Sequence, residues 1–301
     1  KFTHKIKKAL GGLQCFLVLA LLPFSTKAGL EDYYMAHAFN LEEVSSEFNS
    51  FYNGLIREKL KELNKKGFSR RRSCQVIAQK IRPAFGGLFK SKKVPLGVLE
   101  QFPNLDHFPK LKDQRFQSNV DNDGLYLGLE KISEMKRVFN LGGVYVGTDK
   151  FAHFFELGGW YYDRYLKRFK RYKKYYSKEQ ADLMAKKDVV NWGFTLEGTI
   201  TGKWSKMLSY GDMEANYQGF LFYHSLCHGK TPGLQKVEGN WTLVHELDFK
   251  KRVSPFLDDS FSLGDYNKKK WKKVRPRLLK LCPILEEPTY KIRKQHYLTN
   301  Y

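Results

Sequence analysis

From Leu41 to Lys66 the apolar residues Val44, Phe48, Phe51, Leu55, Ile56 and Leu60 recur at three- and four-residue steps, the period of a helix with one buried face. Gly67 closes that pattern, and a second helix is expected from Ser69 to Ile81, stopped by Pro83. Between Lys90 and Gly124 the periodicity fades among Pro95, Pro103 and Pro109, so this stretch reads as loop, placed to cover a cleft. A third helical block opens near Thr148, whose hydroxyl can cap it, and runs through aromatic and basic residues to Tyr176. Ser177 and Gln180 have the spacing of a capping box, in which each side chain satisfies the other's backbone N–H. The helix they open carries Met184, Val189, Trp192 and Leu196 on or near one face. Ser209 can cap a further helix from Tyr210 to about Leu226, ended by Gly229 and Pro232. After Gly239 the alternation in WTLVHELDF fits a short strand or extended arm, and Lys268 to Leu281 reads as a final, basic helix.

The expected fold is therefore mainly α: a helical bundle with a loop-rich N-terminal third and a small extended or β element near the C-terminus. Residues 29–124 would form the N-terminal helical and loop region, 125–229 a helical motif domain, and 230–301 a C-terminal extension packing on that domain. Residues 1–28 read as a signal peptide, with a basic Lys1 to Lys8, an apolar Ala9 to Phe24, and small residues at Thr26 and Ala28 ahead of Gly29. An uncleaved anchor is the alternative, although the apolar run is short of the ~20 residues that cross a bilayer. Either way the chain is expected to leave the cytoplasm, for the periplasm or outer cell envelope.

Charge sharpens that picture. The chain has 53 basic and 31 acidic residues, a formal +22, and removing the leader with Lys1, Lys5, Lys7, Lys8 and Lys27 leaves +17. A field of that size attracts polyanions, which outside the cytoplasm are an anionic membrane surface or a cell-wall polymer rather than a specific nucleic acid. The block from Tyr161 to Lys178 interleaves eight Arg or Lys residues with tyrosine and phenylalanine, a composition that suits a membrane interface or a helix packing its rings on the core. Of the cysteines beyond the leader, Cys74, Cys227 and Cys282, an oxidising compartment favours one disulfide and one thiol, and Cys227 with Cys282 is the expected pair because both follow helical segments in the C-terminal half. No CxxC points to a zinc or redox site.

The chemistry concentrates in GTDKFAHFFELGG. Asp149 and His153 are four apart and share a helix face, with Lys150 offset, and Asp212 and Asn216 repeat that spacing in SYGDMEANYQG. Gly219 near that face lets another backbone approach. Glu197 follows an apolar stripe, so three helices can converge on a pocket of Asp149, His153, Glu197, Asp212 and Asn216. Three roles are open to it. It can be a hydrogen-bonded structural network. It can be an acid–base site with Glu197 as general acid, Asp212 or Asp149 as second carboxylate and His153 orienting substrate, as glycan hydrolysis requires. It can be a metal site of His153, Asp149, Glu197 and Asp212, a set suited to Mg²⁺, Mn²⁺ or Ca²⁺. His224 and His228 fall at a helix end, where capping is the simpler role.

The order Asp149-Lys150-x-x-His153-Phe154, then Glu197, then Ser209-x-x-Asp212-x-x-x-Asn216-x-x-Gly219 resembles the motif set of VanZ-like envelope proteins and the related YfiM-type lipoproteins, over residues 147 to 220. The resemblance implies a cell-envelope role, with Lys150, Asn216 and Ser209 joining Asp149 as binding residues. It implies no established reaction; the alternative, from the acid–base reading of the pocket, is a hydrolase of peptidoglycan or a lipid-linked envelope precursor with Glu197 as general acid. The chain departs from the VanZ pattern in having Glu197-Gly198-Thr199 in place of Glu-x-Gln, lysines rather than arginine near Ser209, and motif helices too charged to span a bilayer.

Overall fold

A computed structural model describes residues 36–37, 40–65, 67, 71–85, 138–147, 149–197, 207–262 and 264–300. The leader and the loop expected between Lys90 and Gly124 lie outside them. The described chain is mainly helical. Helix α1 (Ser45–Lys65) buries Phe48, Tyr52, Ile56, Leu60 and Leu63 along one face, as its periodicity requires. Helix α2 (Cys74–Ile81) starts after Ser73, shorter at its N-terminus than the expected Ser69 start.

Two strands that the helical periodicities gave no reason to expect, β1 (Val138–Leu141) and β2 (Val144–Gly147), form an antiparallel hairpin with Leu141 opposite Val144. Its two-residue loop, Gly142-Gly143, has φ of 59° and 91°, the left-handed pair that matches the twist of a tight hairpin. The chain then enters α3 (Asp149–Ala152), a π-helical turn at His153–Leu157, and α4 (Gly158–Tyr172). The capping box at Ser177 and Gln180 forms and opens α5 (Lys178–Thr195). Beyond β3 (Met207–Leu208), Ser209 caps α6 (Tyr210–Cys227) by accepting a hydrogen bond from the Asp212 backbone N–H at 3.0 Å.

Strands β4 (Leu234–Val237) and β5 (Asn240–Leu243) make the small β element near the C-terminus as a hairpin. Strand β6 (Asp265–Tyr266) pairs with β3. Helix α7 (Lys268–Leu281) matches the basic helix expected there, but it is not the last: α8 (Pro288–Asn300) follows, with proline at its first position, where a missing N–H costs nothing.

Helices α4, α5 and α6 pack together, and α1, α2 and the π turn close the core around an aromatic cluster. The Phe85 and Phe155 rings stack at 4.2 Å, Tyr52 meets Phe155 at 4.4 Å, and Phe154 meets Phe222 and Phe249 at 5.6 Å. Each such side chain removed from water is worth ~1.5–3 kcal/mol. The tyrosines of the basic-aromatic block mostly serve this core. Tyr161, Tyr162 and Tyr165 are buried, Phe169 and Tyr172 pack against the core, and Arg164 and Arg168 pair with Asp188. Its exposed residues are Lys167, Lys170, Arg171 and the run from Lys173 to Lys178.

The disulfide differs from the expected pair. Cys74 bonds Cys227, and Cys282 is an exposed thiol. Sequence order misled here, because α6 ends against the start of α2, which brings together residues 153 apart in the chain, while Cys282 follows α7 at the surface. Non-reducing peptide mapping after alkylation is expected to recover a Cys74–Cys227 linked peptide with Cys282 alkylated; alkylated Cys74 would reject this pairing. A cross-link over so long a loop contributes ~2–4 kcal/mol.

Candidate functional site

Asp149 is the first residue of α3 and Asp212 the third of α6, so each carboxylate sits in a helix's first turn, where the helix dipole favours negative charge. The Lys150 ammonium lies between them. It donates to Asp149 Oδ2 at 2.7 Å, to Asp212 Oδ1 at 2.8 Å and to Asp259 Oδ2 at 2.8 Å. Asp149, Lys150 and Asp212 are at most 2 % exposed, so all three ion pairs are shielded from water. Coulomb attraction is strong in such surroundings, and so is the penalty for leaving any member alone.

His153, in the π turn, extends the cluster. Its Nδ1 is 3.0 Å from Asn216 Oδ1, its Nε2 is 3.4 Å from Asp212 Oδ2, and Asn216 Nδ2 donates to the Tyr161 hydroxyl at 3.3 Å. The ligand atoms of Asp149, His153 and Asp212 all lie within 4.8 Å of one another, a buried group that can hold a metal ion. The structure thus brings together Asp149, Lys150, His153, Asp212 and Asn216 as expected, while Ser209 acts as the cap of α6.

Glu197 is placed differently from the expected metal set. It is fully buried, but it stands outside the group of converging ligand atoms. Helix α5 packs mainly on α4, so its C-terminal end meets the cluster through Tyr161. Burial first, and then the neighbouring Glu197 and Asp212 carboxylates, push the Tyr161 hydroxyl well above the usual phenol range.

Asp259 is the member that sequence reasoning missed. Asp258 and Asp259 of PFLDDSF, expected as helix-cap or salt-bridge residues, do take ionic partners, Asp259 in Lys150 and Asp258 in His37, and each partner lies more than a hundred residues away. Burial pushes the Asp259 carboxyl up to about 7, with Asp149 and Asp212 adding to the rise and Lys150 opposing it. The signal for it was Lys150 itself: an ammonium inside an apolar motif demands more than one carboxylate. Asp258 accepts from Tyr297 at 2.8 Å and lies 3.1 Å from His37 Nε2, and the Tyr297 hydroxyl accepts from the Tyr145 backbone N–H at 3.0 Å. This second cluster ties α8 and the N-terminal segment to the β1–β2 hairpin.

His224 and His228 stack at 4.4 Å near the end of α6, beside Asp182 and Tyr165. Burial lowers both, His224 to about 4, so they are neutral packing rings at neutral pH.

Next to the polar cluster, with Tyr161 as shared wall, is a cleft of about 330 Å³ lined also by Tyr210, Met213, Glu214, Tyr217 and Phe256. Glu214, not Glu197, is the carboxyl that lines it. No described helix is long and apolar enough to cross a membrane. No family model, curated protein or solved structure matches the chain.

Proposed function

We propose that the chain is an exported, VanZ-like protein of the cell envelope, peripheral to the membrane or wall, assembled around a divalent-cation site at Asp149, His153 and Asp212. The observation that carries the ion is a pair of acceptors turned toward each other. Because Asn216 Nδ2 donates to Tyr161, Asn216 Oδ1 is left to accept from His153 Nδ1. A neutral His153 then bears its proton on Nδ1 and a lone pair on Nε2. That lone pair lies 3.4 Å from Asp212 Oδ2, and the neighbouring Asp149 Oδ1 has no hydrogen-bond donor. Buried acceptors gathered this way need a proton or a cation among them.

Charge counting favours the cation. Above about pH 7, where Asp259 gives up its proton, the cluster holds among the described residues three carboxylates, on Asp149, Asp212 and Asp259, against the single ammonium of Lys150. A divalent ion beside neutral His153 balances them. One imidazole nitrogen with carboxylate oxygens suits Mn²⁺ best among the hard ions, and Asn216 becomes the outer group that fixes the ring. The envelope placement rests on the formal +22 and on the exposed lysines and tyrosines at the end of α4.

The test is paramagnetic resonance of Mn²⁺ added to the full, chelator-stripped chain. One saturable ion is expected, with nitrogen coupling from an imidazole. His153→Gln should abolish the coupling and weaken binding more than about 100-fold, and Asn216→Ala about 10–100-fold. No saturable ion, or one indifferent to His153→Gln, rejects the site and leaves a protonated His153 paired with Asp212. Sedimentation with anionic vesicles or peptidoglycan at low salt tests the envelope placement, and a chain that stays in the supernatant with both rejects it.

A further inference from the structure

The cleft beside Tyr161 has a composition that neither the core nor the polar cluster explains. Helix α6 contributes Tyr210, Met213, Glu214 and Tyr217, whose spacing of three and four puts them on one face. Tyr161 comes from α4, and Phe256 from the short helical turn Pro255–Leu257. Four aromatic rings therefore surround a space of about 330 Å³, the lower end of the range for small-molecule sites. The rings do not stack on one another. Tyr161 packs edge-on against Trp192 at 5.4 Å, and Tyr217 packs at a tilt against Phe220 at 5.7 Å, both partners outside the lining set. Phe256 is 56 % exposed, which leaves the cleft open to solvent.

Glu214 supplies the second element. Its Oε1 accepts from the Ser254 hydroxyl at 2.9 Å and from Gln218 Nε2 at 3.0 Å. Both donors are neutral, so they hold the carboxylate in place without cancelling its charge, and no described lysine, arginine or histidine pairs with it. In a chain of formal +22, an acid with no cationic partner among the described residues, set among four aromatic side chains, is a local negative spot.

Aromatic faces and a carboxylate together select a cation, and they select which kind. The negative face of each ring attracts positive charge, but it cannot replace the water lost by a small hydrated ion. The cation that fits is large, diffuse and weakly hydrated. We propose that this cleft binds a quaternary ammonium group of the choline type, with the charge held by Glu214 and the methyl groups against Tyr161, Tyr210, Tyr217 and Phe256. The cleft adjoins the metal group and shares Tyr161 with it, but the proposal does not rest on a bound metal.

The experiment is a titration of the full chain with choline, followed by calorimetry and by Trp192 emission, with dimethylbutanol as the uncharged carbon isostere. Choline is expected to saturate at one site per chain, and the isostere to bind at least about tenfold more weakly, as a cation–aromatic contribution requires. Glu214→Gln and Tyr217→Leu, each checked for an unchanged thermal melt, should each cost choline about tenfold. Equal binding of choline and its isostere would make the cleft an apolar slot and overturn the proposal. So would choline affinity unmoved by Glu214→Gln, or no saturation at all. Phosphatidylcholine vesicles set against free glycerophosphocholine distinguish the source: a preference for vesicles assigns a lipid headgroup, and equal competition assigns a free solute.

Discussion

Lys150→Met is expected to lower the urea-unfolding free energy of the chelator-treated chain by about 3–5 kcal/mol, the usual cost of removing one partner from a buried ionic cluster. Methionine fills nearly the same volume, so packing is not the cause. The cause is that Asp149, Asp212 and Asp259 each lose the donor that lies 2.7–2.8 Å away. The carboxylates must then take up protons to stay buried, which gives the effect a pH signature. In the wild type, Asp259 already keeps a proton up to about 7 that the unfolded chain releases near 3.8, so its contribution to stability falls as pH rises through that window. Without Lys150 the attraction that holds the Asp259 carboxyl down is gone and the window moves upward. The deficit should therefore be larger at pH 8 than at pH 6. Adding Asp259→Asn to Lys150→Met should recover part of the loss, because one carboxylate fewer remains to be protonated. A deficit under about 1 kcal/mol, or one that shrinks toward pH 8, would mean that the ammonium does not hold this cluster together.

The residues of that cluster were readable in advance because helical spacing is a local rule. Asp149 with His153, and Asp212 with Asn216, share faces at four-residue steps, and Ser209 and Ser177 cap helices by contacts within three residues. What spacing cannot give is which elements meet. Asp259 enters from a turn more than a hundred residues beyond Lys150, Cys74 crosses 153 residues to reach Cys227, and Glu197 stops short of the metal group because of how α5 lies on α4. The β1–β2 hairpin is a different kind of miss. Its glycine pair is a turn signal, but the flanking VFNL and VYVG are buried on both faces, so no alternation of polar and apolar residues marks them as strands. The basic-aromatic block shows the reverse difficulty: tyrosines fit a membrane surface and a core equally well by composition, and only packing distinguishes Tyr165 from Tyr175.

Gly219→Ala is expected to destabilise the chain by about 3 kcal/mol or more and to weaken Mn²⁺ binding with it, although alanine is intrinsically the better helix former by ~1 kcal/mol. A Cβ at Gly219 would overlap the carbonyl oxygen of Phe154, a rigid backbone atom. The reason lies in the π turn at His153–Leu157, which carries Phe154 beside α6, while the backbone of Gly219 is so close that a Cβ on Gly158 would stand 2.6 Å from its Cα. Such turns concentrate at functional sites, and here the turn aims His153 at Asn216 and Asp212. Relief of the overlap must push α6 away from the turn. That displacement strains the Tyr223 hydroxyl's hydrogen bond to the Phe155 carbonyl at 2.9 Å and the His153–Asn216 contact at 3.0 Å, one core tie and one site tie. Gly54→Ala is the matched control, since a Cβ there meets nothing within 4 Å on α1, and it should raise stability by ~0.5–1 kcal/mol. Opposite signs for the two substitutions, read by urea unfolding with the Mn²⁺ affinity of each variant, would tie the close helix approach to the site. Equal gains would show that α6 and the turn have room to spare, and the geometry argued for His153 would fall with it.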